Sequence, residues 1–132
     1  MAEPFTIKKI DEMETHYAGT FKLARAELGV TSFGMQVIDL PANLEGYPDH
    51  DHTDNGQEEV FVVLSGEGEI ELDGERHPLG PRTMVRVAPE VNRKLITGDS
   101  PLSVLALGGV AEQAYEIDPR TELGSPDPLA AS

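Results

Sequence analysis

The chain has 132 residues, a formal net charge of −14 at pH 7 and no cysteine. Its length fits one ordinary domain, and the absence of cysteine excludes a disulfide framework, a thiolate metal site and a catalytic cysteine. The acidic surface argues against a nucleic-acid partner, and the sequence has neither a signal-peptide pattern nor a membrane-spanning apolar run, so we expect a cytoplasmic protein without a membrane partner.

Residues 1–30 are polar and weakly patterned, and we expect them to form a segment that packs on the domain that follows. Residues 11–17 have weak helical character, and His16 within them is expected to be a surface histidine. Residues 21–29 favour a short helix with Gly29 as its C-terminal cap. A strand over the same residues agrees less well with their alternation, although tertiary pairing can override this preference.

From residue 31 to residue 110 the chain alternates between short apolar runs and turn residues, which predicts an all-β domain. Strands are expected over residues 32–40, 59–64, 69–73, 75–79, 83–87, 93–97 and 102–107. Asp73-Gly74 is a two-residue hairpin signal. The run 59–64 is apolar on both faces, which predicts a central strand covered on both sides. Residues 111–132 lose the pattern and are expected to be an irregular, acidic tail.

Charge is unevenly distributed along the chain. Residues 49–75 contain no lysine or arginine. The following stretch contains the basic residues Arg76, Arg82, Arg86, Arg93 and Lys94. An acidic segment followed by a basic one indicates that the two are neighbours in the fold, with Arg86 facing outward.

Two histidines one residue apart come before a pair of glutamates. His50 and His52 lie on a short predicted strand, so they share one face, with Cα atoms roughly 6–7 Å apart. A polar turn over residues 53–57 then leads to Glu58 and Glu59. Two imidazoles with a carboxylate nearby are the donors of a metal site.

This stretch resembles the first motif of the cupin family, whose fold is a small double-stranded β-helix, or jelly-roll, barrel. The motif has a leading glycine, His-x-His, a glutamate after a short loop and a glycine beyond six further residues. His50 and His52 match the histidines, while the leading glycine is displaced. Glu59 matches the glutamate because six residues separate it from Gly66. Glu58 fits the loop length slightly better but breaks the spacing to Gly66.

The second motif of the family does not hold in this sequence. The family expects a histidine and then an asparagine after a Pro-x-Gly. The best alignment places Arg93 at the histidine, and an alternative that starts from Pro89 places Lys94 there. A cation therefore replaces the usual fourth ligand. The resemblance covers roughly residues 33–109 and is to small single-domain bacterial cupins of the cupin 2 type, which carry no assigned reaction.

The resemblance implies that His50, His52 and Glu59 are metal ligands, a set that suits a divalent ion such as Fe, Mn, Ni or Zn. A guanidinium at the fourth position would repel such an ion and would pair bidentately with Glu59. In the other interpretation Arg93 clamps an anionic substrate, with Phe61 as a second substrate-binding residue. A metal-free, hydrogen-bonded cluster of the same polar residues stays open.

Two functions stay open at this point. The first is a cupin-domain protein that binds a small-molecule ligand and a divalent metal in its barrel, with undefined activity. The second is a metal-dependent enzyme, of oxygenase or isomerase type, acting on a small anionic substrate. The resemblance also implies a homodimer. His77, which follows the Asp73-Gly74 turn, is expected to be exposed rather than a ligand.

Overall fold

The computed structural model describes residues 4–44 and 51–128, and these residues form a mostly β structure with one short α-helix. The strands are β1 (Thr15–His16), β2 (Phe21–Lys22), β3 (Gly34–Leu40), β4 (Glu58–Gly66), β5 (Gly68–Leu72), β6 (Glu75–Leu79), β7 (Met84–Val87), β8 (Arg93–Ile96) and β9 (Leu102–Gly109). The helix α1 spans Ala24–Leu28, and short 3-10 turns span Ile10–Glu12 and Pro119–Thr121. Within the described ranges, none of the helices has the length and hydropathy that a bilayer span requires.

Two antiparallel sheets face each other. The larger has the strand order β1-β2-β3-β9-β4-β7, and the smaller has the order β6-β5-β8. Phe61 and Val104 of the larger sheet share one apolar core with Ile70 and Leu95 of the smaller. This arrangement agrees with a jelly roll. The barrel is not closed, because no strand pairing among the described residues joins the two sheets.

The strands predicted over residues 32–40 and 59–107 are confirmed, apart from small shifts at their ends. The short strand predicted at the two histidines is not confirmed, because Asp51 and His52 lie in no strand and His50 lies outside the described residues. The hairpin between β5 and β6 shows why the Asp73-Gly74 pair predicts a turn. Asp73 and Gly74 have φ angles of 49° and 86°. A tight two-residue turn requires positive φ at both central positions, which aspartate and glycine tolerate.

Strand β4 is central, but the prediction that both of its faces are covered is wrong. Phe61 and Val63 point into the core and are almost fully buried. On the opposite face Leu64 is 45% exposed, and Val60 and Val62 are only partly buried. Antiparallel sheets often bury one face and leave the other open. The outer apolar residues therefore mark a sheet surface that the described chain covers incompletely.

The predicted helix over residues 21–29 is confirmed only in its second half. Phe21–Lys22 form a strand that pairs with β3, and the helix occupies the residues after it. Gly29 has φ 81° and caps the C-terminal end of the helix in the left-handed conformation, as expected. Pairing with the sheet edge thus overrides helical propensity for two residues.

The N-terminal segment packs on the outer face of β3. Met13 and Ala24 bury Val37 in a second small apolar cluster. The expected helical turn over residues 11–17 is wrong, since a 3-10 turn and β1 occupy this stretch. His16 is also not a surface residue. It is 4% exposed, because the C-terminal tail covers it.

The tail is attached to the N-terminal segment at several points. His16 Nε2 lies 3.1 Å from the carbonyl oxygen of Ser125. The Gly124 N–H donates to a Glu14 carboxylate oxygen at 2.8 Å, and the Tyr17 N–H donates to Asp127 at 3.0 Å. The two ends of the described chain thus hold each other against the sandwich.

Candidate functional site

The order of residues on β4 turns Glu59 inward. Glu59 alternates with Phe61 and Val63, and side chains two residues apart share a face of a strand. Its neighbours across the sheet are Gly108 on β9 and Val87 on β7. Glu58 points the other way and accepts a hydrogen bond from Arg86 at 2.9 Å. Of the two glutamates in the motif, Glu59 is therefore the one that faces the interior.

Arg93 is the first residue of β8 and is 1% exposed. Its Nη1 donates to Glu59 Oε1 at 2.9 Å. Its Nη2 donates to the carbonyl oxygens of Ala88 at 2.8 Å and Val91 at 2.9 Å, and its Nε donates to Val91 at 3.2 Å. The expected pairing with Glu59 is present, but it uses one N–H rather than two, since the backbone before β8 takes the others.

His52 reaches the same carboxylate from the loop that precedes β4. Its Nε2 lies 3.6 Å from Glu59 Oε1, and its side chain is 18% exposed. Its backbone N–H donates to the Pro89 carbonyl at 2.8 Å, which ties this loop to the turn before β8. A turn follows at residues 53–56, as predicted. His50 lies outside the described residues, so the shared face of the two histidines stays a prediction.

The environment keeps Glu59 ionised. Burial raises the pKa of this carboxyl, but His52 and Arg93 together lower its pKa by more, through hydrogen bonding and charge. The result is a pKa below the ordinary glutamate value. An ionised carboxylate at this point can serve as a metal ligand or as the anionic half of the ion pair with Arg93.

A cavity of about 190 Å³ opens beside these residues. Its wall includes Gln36, His52, Gln57 and Glu59. Two glycines leave space for side chains that line the cavity. A Cβ on Gly34 would lie 3.0 Å from the Tyr115 hydroxyl, and one on Gly108 would lie 3.1 Å from Gln57 Oε1.

Part of the cavity wall comes from segments in which the sequence pattern predicted no site. Arg25 on α1 and the tail residues Tyr115, Asp118 and Arg120 all line it. Asp118 and Arg120 form a two-pronged ion pair, with Nη2 to Oδ2 at 2.6 Å and Nε to Oδ1 at 3.1 Å. Hydrogen bonds from Arg120 outweigh burial and lower the pKa of Asp118. The signal in the sequence was Tyr115, the one aromatic residue among residues 111–132.

The two predicted substrate-binding residues are not in the cavity wall. Arg93 is enclosed by its partners, and Phe61 is 1% exposed in the apolar core. Their roles stay predictions. His77 is exposed, as expected, and lies 3.8 Å from Glu75. Among residues 4–44 and 51–128, no three histidine, aspartate or glutamate side chains form a metal-binding cluster.

The sequence and the fold both match known proteins. Residues 37–108 match the model of a family described as Cupin domain. A cupin protein from Bacteroides fragilis has a TM-score of 0.69 at 23% identity, over 89% of this chain and 93% of that one. The Cupin_2 domain of an XRE family transcriptional regulator from Enterobacter cloacae has a TM-score of 0.52 at 24% identity, over 67% of this chain and 87% of that one.

An enzyme structure also shares the fold. A variant of salicylate 1,2-dioxygenase from Pseudoaminobacter salicylatoxidans has a TM-score of 0.51 at 19% identity, over 59% of this chain and 21% of that one. None of the curated proteins matches the sequence. At these identities the structural matches show the fold alone. A regulator domain and a dioxygenase on one fold illustrate that the architecture does not select a reaction.

Proposed function

We propose that this chain, which belongs to the cupin domain family, is a small-molecule-binding protein whose ligand occupies the cavity beside His52 and Glu59. The observation that carries the proposal is the cavity of about 190 Å³, which reaches a buried ion pair. Ligand sites are typically concave and place a few convergent polar groups in an otherwise preformed wall.

The ion pair gives the cavity a rigid inner end. Arg93 holds Glu59 from one side, and the carbonyls of Ala88 and Val91 fix the guanidinium from the other. His52 adds an imidazole at 3.6 Å from the same carboxylate. Because these groups already hold one another in place, a ligand would lose little free energy in ordering them.

The proposal extends to a divalent metal held by His50, His52 and Glu59. The two donors in the described residues suit one ion, because ligands that each lie roughly 2.1 Å from a metal are about 3–3.5 Å apart, close to the 3.6 Å between His52 and Glu59. Arg93 opposes it, since its Nη1 lies 2.9 Å from the same Glu59 oxygen. A bound ion would supply a Lewis acid to the cavity.

A second candidate function is a metal-dependent enzyme of oxygenase or isomerase type, acting on a small anionic substrate. The observation in its favour is the imidazole of His52, whose Nε2 lies 3.6 Å from the mostly buried carboxylate of Glu59. Two histidines and one carboxylate leave coordination positions open for substrate. In that case His52 and Glu59 hold the ion, and the remaining cavity wall orients the substrate.

Metal analysis of protein purified without a histidine tag tests the metal site that the enzyme hypothesis requires. The protein is incubated with Fe, Mn, Ni or Zn, desalted and assayed for bound metal. The enzyme hypothesis predicts one ion per chain and its loss in His52→Ala. His77→Ala is the matched control, because it also removes a histidine but from an exposed hairpin. Chains that stay free of all four metals would contradict the enzyme hypothesis.

Ligand binding itself is tested by NMR with a library of small organic molecules. A binder is expected to shift amide signals of Gln36, Gln57 and Gly108, which surround the cavity. Signals of Glu75 and Arg76 serve as the control, since they lie on the other sheet. If every molecule in the library leaves the cavity signals unchanged, small-molecule binding at this site is refuted.

A further inference from the structure

We propose that Arg25 and Tyr115 form a carboxylate-binding subsite of the cavity, so that its ligand is a small organic acid. This inference rests on the proposed function, because it assigns a ligand chemistry to the same cavity. Neither residue lies within residues 37–108, the part of the chain that matches the family model. The subsite therefore lies outside the part of the chain that the family model describes.

Arg25 has a donor that the described residues leave unused. The residue is 4% exposed. Its Nη1 donates to the Val30 carbonyl at 2.9 Å, and its Nη2 donates to Glu122 Oε1 at 3.2 Å. Its Nε is buried and has no hydrogen-bond partner among the described residues. A buried guanidinium N–H without an acceptor is costly, and since Arg25 lines the cavity, a ligand can supply the acceptor.

Tyr115 supplies a second donor in the same wall. Its hydroxyl lies against Gly34, 3.0 Å from where a Cβ would stand. Burial raises the pKa of this phenol, although the positive charge of Arg25 acts against the rise. The hydroxyl therefore keeps its proton at neutral pH and can donate it to an acceptor. Arg25 and Tyr115 both line the cavity.

The acidic residues of the cavity are each matched by a cation. Asp118 is paired with Arg120 and Glu59 with Arg93. Glu122 pairs with Arg25 through one oxygen, and its side chain is 52% exposed. Glu122 therefore lies at the edge of the subsite and competes with a ligand for Arg25. A ligand carboxylate would take the unused Nε–H and compete with Glu122 for Nη2.

The shape and size of the subsite favour a monocarboxylate. The Nε and Nη2 edge of a guanidinium matches the two oxygens of a carboxylate. A cavity of about 190 Å³ equals the liquid volume of roughly six water molecules, which suits a small molecule. A phosphate dianion fits less well, because it would bring a second negative charge towards three carboxylates and a chain of net charge −14.

The test compares benzoate with benzamide by calorimetric titration. The two probes have the same shape, but only benzoate is charged. Benzoate is expected to bind the intact chain more tightly than benzamide. Arg25→Gln should weaken benzoate binding by more than about tenfold, and Tyr115→Phe should weaken it by roughly threefold to tenfold, since each removes a donor. Both variants should leave benzamide binding nearly unchanged.

Circular dichroism checks whether Arg25→Gln folds. If it folds poorly, two further variants still test the subsite. Glu122→Gln removes the competitor from a half-exposed position, so benzoate affinity should rise. Arg76→Gln is the charge-matched control on the other sheet and should have no effect. The subsite is refuted if benzamide binds as well as benzoate, or if Glu122→Gln and Tyr115→Phe both leave benzoate affinity unchanged. In those outcomes small-molecule binding survives, whereas a failure of every library compound in the NMR test refutes both.

Discussion

Arg93 connects separate parts of the chain through a single side chain. Its guanidinium joins β4 through Glu59 and holds the turn before β8 through the carbonyls of Ala88 and Val91. A charge that is 1% exposed is stable only when its donors are satisfied. Arg93 is thus a structural residue as well as a neighbour of the site.

Replacing Arg93 with methionine tests this structural role. The change leaves Glu59 as a mostly buried charge without its cation and frees two carbonyls, so we expect a loss of about 3–5 kcal/mol in the free energy of unfolding. Arg86→Met is the matched control, because its pair with Glu58 is exposed and should contribute less than about 1 kcal/mol. Urea denaturation measures both, and similar losses in the two variants would contradict the structural role of Arg93.

Replacing Arg93 with histidine tests its effect on metal binding. Loss of the guanidinium removes a positive charge beside Glu59, and an imidazole supplies a donor. Affinity for Ni or Zn should rise by at least about tenfold. Competition with a colorimetric chelator measures it, with Arg86→His as the control for an added histidine. Equal affinities in the two variants would show that Arg93 does not limit metal binding.

Glu59 predicts how stability depends on pH. Its pKa in the folded chain lies below the ordinary value of 4.5. The carboxylate therefore stabilises the fold fully above the unfolded-state pKa, and this contribution is lost as pH falls through the folded-state pKa. Thermal unfolding temperatures of Glu59→Gln should change less than those of the intact chain as pH drops below about 4.3. Parallel curves for the two proteins would contradict the lowered pKa.

At the residue scale, motif spacing predicted the residues at the inner end of the cavity but not the residues that the tail buries. The distance in sequence from Glu59 to Gly66 identified the inward glutamate, and the failed second motif identified Arg93 as its neighbour. Arg25 and His16 escaped prediction, because their burial depends on a tail about a hundred residues away. The residues next to Arg25 and His16 in the sequence do not indicate their contact with the tail.

Among the secondary-structure elements, the turns after β4 show how backbone geometry fixes residue choice. Gly66 has φ 83°, and a Cβ built on it would lie 2.1 Å from the Pro101 carbonyl oxygen. Two constraints therefore act on one residue, since side chains disfavour this φ and the neighbouring backbone leaves no space. The end of β4 consequently requires glycine at this position.

Gly66→Ala should lower the free energy of unfolding by roughly 3 kcal/mol or more, because the left-handed penalty adds to the clash. Gly98→Ala is the control, since nothing lies within 4 Å of its Cβ position and its φ is not positive. That variant should be nearly neutral. Thermal unfolding compares the two, and equal stability would refute the close approach of Pro101.

Strand periodicity predicted the elements well and their pairing hardly at all. The alternation around Ile70 and the Asp73-Gly74 turn define one hairpin from local sequence. The strand at Phe21–Lys22 was hidden, because its residues favour helix until β3 offers them a pairing edge. The order of strands in the larger sheet also depends on contacts that no local window contains.

At the scale of the whole molecule, the outer face of β4 and β7 predicts self-association. Val62 pairs with Met84, which is 72% exposed, and Leu64 beside them is 45% exposed. Within the described chain β7 is also an edge strand of the larger sheet. Exposed apolar sheet faces and open edges are common sites of association between chains. A homodimer therefore stays our prediction.

Met84→Glu tests it by placing a charge on this face. We expect the chain to be a dimer in light scattering after gel filtration, and the variant to shift towards monomer by at least about tenfold in dissociation constant. Leu123→Glu is the control, because Leu123 is similarly apolar and exposed but lies in the tail. A monomeric intact chain, or two variants that behave alike, would contradict association through this face.

The position of β9 has a consequence for how the molecule is made. It is the last strand in the described sequence, yet it lies between β3 and β4, with Gly34 opposite Gly108 and Glu58 opposite Gly109. During synthesis the β5–β6 hairpin can form early, but β3 and β4 must wait for the strand that separates them. Such long-range pairings slow folding. We therefore expect the two parts of the larger sheet, β1-β2-β3 and β4-β7, to join late, after residue 109 has left the ribosome.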